Sequence, residues 1–176
     1  MTKTAKTYGD ALFQLAKEEN LQDRILQDLA LCVQIFRDNP DYLRLLREPS
    51  IKKAERLGLL DEAWKASLHP YTLNFLKLLC ENGTLGLLSE CEQAYHDCYN
   101  EENGILAVRA VCAAPLKDEL RRKLCDRLAE KTGKIIALFV EVDESLIGGM
   151  RLEMEGKELD GSVRHHLDAI SQLLQG

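Results

Sequence analysis

The stretch at residues 105–142, ILAVRAVCAAPLKDELRRKLCDRLAEKTGKIIALFVEV, changes the texture of the chain. Its two ends, ILAVRAVCA and KIIALFVEV, are dense in Val, Ile and Ala. The middle, PLKDELRRKLCDRLAEK, is charged and places Leu116, Leu120, Leu124 and Leu128 four residues apart. β-Branched residues suit a pleated, packed surface, whereas apolar residues recurring at this spacing line one side of a helix. The reading is strand, helix, strand, with the four leucines as the apolar stripe of the helix.

Further along, Met150, Leu152 and Met154 alternate with Arg151, Glu153 and Glu155, the period of a half-buried strand. Gly156-Lys157 then supplies a hairpin turn of the Gly-first type. Asp160 stands as the N-cap of a last helix with Val163, Leu167, Ile170 and Leu174 as its stripe. Gly148-Gly149 leads into a strand rather than a helix and no Lys-Ser/Thr follows. A bulge or close backbone approach therefore fits better than a phosphate loop. Asp143 and Glu144 fall where KIIALFVEV must turn, which reads as a solvated turn rather than an acid–base pair. Residues 105–176 are expected to form a small α+β domain.

Upstream, from residue 4 to about 101, apolar residues recur at i, i+3, i+4 and i+7, with breaks at Asn20, Asn39-Pro40, Pro49, Pro70 and Asn82-Gly83. Residues 1–104 thus read as an all-α bundle of six short helices, joined to the second domain through NEENG at 100–104.

A formal charge of -6 argues against a general nucleic-acid binder, which needs a net positive face to displace counterions from phosphates. No apolar run approaches the ~20 residues of a membrane helix, so direct membrane insertion is not expected. The first twenty residues lack the apolar core of a signal peptide, and the chain is expected to be mature from Met1 and cytosolic.

Six cysteines (Cys32, Cys80, Cys91, Cys98, Cys112, Cys125) contain no C-x-x-C and read as reduced, mostly buried thiols. The best metal candidate is CEQAYHDC, where Cys91 and Cys98 share a helical face but His96 lies about 140° around the axis from Cys91. His165 and His166 are neighbours about 100° apart and cannot chelate one ion together. The run RRK at 121–123 shares its helix with four acids and reads as a mixed-charge surface. No nucleophile or metal motif appears, so neither enzyme activity nor a metal or other cofactor is expected. A thiol- or zinc-dependent redox or regulatory protein built on Cys91, His96 and Cys98 is the alternative.

Two helices carry more apolar surface than one contact needs. Ala5, Tyr8, Gly9, Ala11, Leu12, Phe13, Leu15 and Ala16 span roughly 200° of the first, and Tyr71, Leu73, Phe75, Leu76, Leu78, Leu79 and Cys80 roughly 220° of the fifth. Either both helices are central to the bundle, or they share a groove for an amphipathic helix from a partner. The small residues Ala5, Gly9 and Ala16 favour the groove, because short side chains let a partner approach.

The segments TYGDALFQLAKE, NPDYLRLLREPSI, NFLKLLCENGTL, VCAAPL and DESLIGGMRLEMEGKELDGSVRHHL, in this order, resemble the delta subunit family of F-type ATP synthases, whose mitochondrial relative is the oligomycin-sensitivity-conferring protein. Gly9, Thr84 and Cys112 depart from the Ala, Arg and Ser usual there. The resemblance implies a non-catalytic stator subunit of the proton-translocating synthase, peripheral on the cytoplasmic face of the bacterial cell membrane. Its N-terminal domain would bind the N-terminal helix of an alpha subunit, and its C-terminal domain the b subunits of the peripheral stalk. It implies that Tyr8, Ala11, Leu12 and Leu15 face the alpha helix from one side, and Leu76, Leu79, Cys80 and Gly83 from the other.

Overall fold

The computed structural model describes residues 1–146 and 149–154, together with the backbone of 157–160. The chain divides into two units, Met1–Tyr99 and Asn100–Gly176. The first is built from helices α1 (Lys3–Glu18), α2 (Gln22–Asp38), α3 (Pro40–Arg47), α4 (Lys53–Trp64) and α5 (Pro70–Glu81), a 3-10 turn at Leu85–Leu87, and α6 (Leu88–Glu102).

Local chemistry sets the helix ends. Thr2 caps α1 by accepting from the Ala5 amide. Asn20 ends the helix in the left-handed region at φ 56, where the Leu21 amide reaches back to the Ala16 carbonyl at 2.8 Å. Pro40 and Pro70 occupy the first turns of α3 and α5, where no helical N–H is lost. Gly83 repeats the Asn20 device after α5 at φ 68, with the Thr84 amide donating to the Leu79 carbonyl at 2.8 Å.

The core of this unit contains Leu12, Phe13, Ile25, Leu29, Cys32, Leu60, Leu76, Leu79, Cys91 and Tyr95. Ala5, Gly9 and Ala16 turn inward and do not keep a groove open for a partner. A methyl added at residue 9 would stand 2.5 Å from the Ala94 Cβ and 2.7 Å from the Cys91 carbonyl oxygen. The glycine therefore lets the backbone of α6 approach α1, and the Phe13 and Tyr95 rings meet edge to face beside it at 5.3 Å.

Asp28 of α2 is 4% exposed and lies at the start of α5. Its Oδ2 accepts from the His69 amide at 2.7 Å and from the Thr72 hydroxyl at 3.0 Å, and its Oδ1 lies 3.0 Å from Arg24 Nε. The same guanidinium donates to the Ser67 carbonyl at 2.7 Å. Sequence periodicity gave no hint of this junction, because an aspartate within an amphipathic helix reads as part of its polar face.

The second unit holds β1 (Ile105–Cys112), α7 (Asp118–Thr132), β2 (Ile135–Val142), β3 (Met150–Met154) and β4 (Lys157–Asp160), with its sheet in the order β2-β1-β3-β4. β1 and β2 are parallel, as a strand–helix–strand crossover requires, and β3 runs antiparallel to both β1 and β4. Leu106, Val108, Ala110, Cys112 and Leu138 form the buried sheet face, with Leu124, Cys125, Leu128, Met150, Leu152 and Met154 packed against it.

Two expectations need correction here. Leu120 is 55% exposed rather than part of the α7 stripe. A four-residue spacing drifts about 40° per step, and this leucine lies about 90° from the centre of the face shared by Leu124, Cys125 and Leu128. Lys157 pairs with Met154 and is a ladder residue of β4 rather than part of a turn, and Gly156 lies outside the described residues. Asp160 ends β4 opposite Arg151, and the helix it was expected to cap lies outside the described residues, as do His165 and His166. Gly149 has φ 83, which only glycine adopts readily, while Gly148 lies outside the described residues. Asp143 organises the turn after β2, its Oδ1 accepting from the Ser145 amide at 2.9 Å.

Three substitutions test the junctions of the helical unit by urea unfolding at neutral pH. Asp28→Ala strands two buried donors and a guanidinium and should lower stability by about 2–3 kcal/mol, and Thr72→Val by about 1 kcal/mol. Gly9→Ala should lower it by about 1–3 kcal/mol, because α6 must retreat. A neutral Gly9→Ala would mean that the two helices are not held at this distance.

Candidate partner-binding seam

Tyr8 links α1 to α5. Its ring meets Phe75 edge to face with centroids 6.3 Å apart, and the Asn82 side-chain amide donates to its hydroxyl at 3.1 Å. Phe75 and Asn82 are seven residues apart on one stripe of α5, with Leu78 between them at helical spacing. Tyr8, Ala11 and Leu15 likewise share one side of α1.

The surface of this seam is apolar. Leu15 is 36% exposed and Leu78 43%, Ala11 is exposed and Tyr8 is half-buried. Leu12, Leu76 and Leu79 are buried beside it, each to 5% exposure or less, while Cys80, 2% exposed, lies on the side of α5 away from Leu78. The eight residues named from the sequence thus divide by depth: Tyr8, Ala11, Leu15 and Gly83 reach solvent, and the other four are buried. The Cys80 thiol donates to the Leu46 carbonyl at 3.5 Å, and burial pushes its pKa up. An added methyl at Gly83 would meet nothing within 4 Å, so the glycine is needed for its backbone conformation rather than for space.

Leu78 and Asn82 were absent from the partner-facing set. The signal for Leu78 was present in the wide arc of α5, but choosing its face required knowing which stripe meets Tyr8. Lys77 and Glu81 flank this stripe and pair with Asp61 at 2.6 Å and Lys53 at 3.2 Å on α4, which braces the outer side of α5.

The thiol and histidine cluster on α6 does not assemble. Cys91 is fully buried and its pKa is pushed up to about 11 by burial, with a smaller contribution from the Glu90 charge. Cys98 turns instead to α1, where its thiol donates to Asp10 Oδ1 at 3.3 Å. Among the described residues, no three His, Cys, Asp or Glu side chains are grouped to hold a metal ion. A thiol kept protonated in a packed core is neither a good nucleophile nor a ready ligand, and the redox or zinc reading has no support. Cys32 is held still more firmly neutral, its pKa pushed up to about 12 first by burial and then by the charge of Asp28.

Comparison with known proteins places this architecture. Residues 4–174 match the family model described as ATP synthase delta (OSCP) subunit. The chain is 34% identical over 174 residues to an ATP synthase subunit delta of Geobacillus sp. (strain WCH70), covering 98% of this chain and 97% of that one. It is 33% identical over 171 residues to that of Lactobacillus gasseri, covering 97% and 93%. Among solved structures, a chain of the Toxoplasma gondii mitochondrial ATP synthase hexamer has the same fold, with a TM-score of 0.78 over 99% of both chains at 21% identity.

The burial of the thiols makes two expectations. In native protein at pH 8, a disulfide reagent should modify the half-exposed Cys98 and Cys125 and leave Cys32 and Cys91 untouched until denaturant is added. Fast labelling of Cys91 would mean that the α1–α6 contact opens. In unfolding experiments above pH 9.0, the unfolded chain loses thiol protons that native Cys32 retains. Stability should therefore fall as pH rises from there toward about 12.

Proposed function

The chain belongs to the ATP synthase delta (OSCP) subunit family, and from that membership we propose that its helical unit grips the N-terminal helix of an alpha subunit in the α1/α5 seam while its α+β unit holds the b subunits of the stalk. It is a non-catalytic subunit of the F-type ATP synthase and a component of the peripheral stalk. Among the described residues no helix is long and apolar enough to cross a membrane, and the subunit is peripheral within its complex. On this reading it sits at the cytoplasmic face of the cell membrane.

The observation that carries the seam is the apolar strip of Tyr8, Ala11, Leu15 and Leu78, solvent-facing above a floor buried to 5% or less. An apolar row on α1 with Leu78 of α5 beside it suits the i, i+3, i+4, i+7 face of an amphipathic helix. The buried residues below hold this strip in place, so the contact is made on a stiff surface, and stiffness suits a joint that must hold the head against rotation. Tyr8 is the natural anchor, because its hydroxyl is held by Asn82 and its ring is already fixed against Phe75.

Calorimetric titration of the full chain with a synthetic peptide of the cognate alpha subunit's N-terminal ~20 residues should give one-to-one binding with a negative heat-capacity change. Leu78→Asp and Tyr8→Asp should each weaken it by roughly 100-fold with helical circular dichroism unchanged. Unaltered affinity in both variants would place the alpha helix on another face.

A further inference from the structure

Among the described residues, β2 has no strand on its outer side. The direction of its backbone groups follows from its ends: the Ile135 amide donates to the Gly104 carbonyl and the Asp143 amide to the Cys112 carbonyl, both at 2.9 Å. Odd-numbered residues therefore turn toward β1, and Ile136, Leu138, Val140 and Val142 turn their N–H and C=O groups outward. The strand IIALFVEV contains neither Pro nor Gly and one charged residue, Glu141, whose carboxylate accepts from Arg109 Nε at 2.9 Å. Ile135, Phe139 and Val142 are 66%, 60% and 44% exposed. A long apolar edge of this kind is a template for pairing with another chain, and native proteins blunt such edges.

Among the described residues, one side chain does so. Arg121 reaches from α7 to the middle of the edge, where its Nη2 donates to the outward Leu138 carbonyl at 3.1 Å. That is the acceptor an incoming strand would need first, and the guanidinium fills the space such a strand would enter. Lys123, two residues along, is engaged locally with Glu119 at 2.7 Å.

We propose that the β2 edge is a strand-pairing site for a second copy of this chain, and that Arg121 keeps it closed by holding the Leu138 carbonyl. The edge is self-complementary. Paired antiparallel about a two-fold axis, it can set Leu138 opposite Val140 and Ile136 opposite Val142, so that the outward groups meet. The same register brings Phe139 against its own copy, in the position where cross-strand side chains approach most closely. Such a contact closes as a dimer.

The test compares full-length protein with Arg121→Ala and with Arg122→Ala, which makes the same charge change one residue along the exposed surface of α7. Sedimentation velocity over a concentration series should show Arg121→Ala dimerising with a dissociation constant at least ~10-fold below that of the parent and of Arg122→Ala. Amide exchange at Leu138 and Val140 should slow with concentration in that variant alone. Adding Val140→Pro, which removes an outward N–H without breaking the ladder to β1, should return it to monomer. Arg121→Ala protein that stays as monomeric as the parent would overturn the proposal. So would association that leaves the Leu138 and Val140 amides unprotected, or that persists with Val140→Pro.

Discussion

A carboxylate taken out of water must be matched by donors, and Asp28 meets that demand by tying two helices together. Arg24 comes from its own helix, while the His69 amide and the Thr72 hydroxyl come from the first turn of α5. Because Arg24 also holds the Ser67 carbonyl, the approach to α5 is fixed along with its first turn. Both where α5 begins and which way it faces therefore follow from one buried charge. The stripe that α5 presents to Tyr8 inherits that placement, and the apolar strip beside it does as well.

The excess of apolar surface on α1 and α5 has a mixed explanation. Most of each arc is consumed internally, by Ala5, Leu12, Phe13 and Ala16 on α1 and by Leu73, Phe75, Leu76, Leu79 and Cys80 on α5. What remains is the row that neither the core nor a neighbouring helix covers. A non-catalytic subunit gains from this division, since residues packed to crystalline density below hold those above in place. Gly9 contributes by allowing α6 to close against the back of α1.

The α+β unit manages its surface by a different means. On its outer sheet face Arg109 bridges Glu141 on β2 and Glu153 on β3, joining three strands through exposed charges whose contribution is more to order than to stability. On its edge a single guanidinium stands where a second strand would pair. Both arginines come from segments whose apolar residues fix the fold, and both act at the places where that fold leaves groups unmatched.

Periodicity alone was enough to read helices upstream of about residue 100, strands and a helix at 105–142, and a further strand at Met150–Met154, because these elements are decided by which face a side chain must bury. Prolines and glycines marked the ends for the same local reason, Asn82-Gly83 among them. The ordered segments that resemble the delta subunit family pointed to the residues of α1 and α5 as a partner surface. Depth was not legible: that Leu12, Leu76, Leu79 and Cys80 are buried and Leu78 is surface depends on how the helices are rotated against one another. The start of α5 is tied to α2 by Asp28, forty-one residues before the His69 amide it holds. Nor could the sequence show that Gly9 serves α6, that Leu120 faces solvent, or that Arg121 guards an edge. Each of these is a distance between segments far apart in the chain, and periodicity records only which face of its own element a residue occupies.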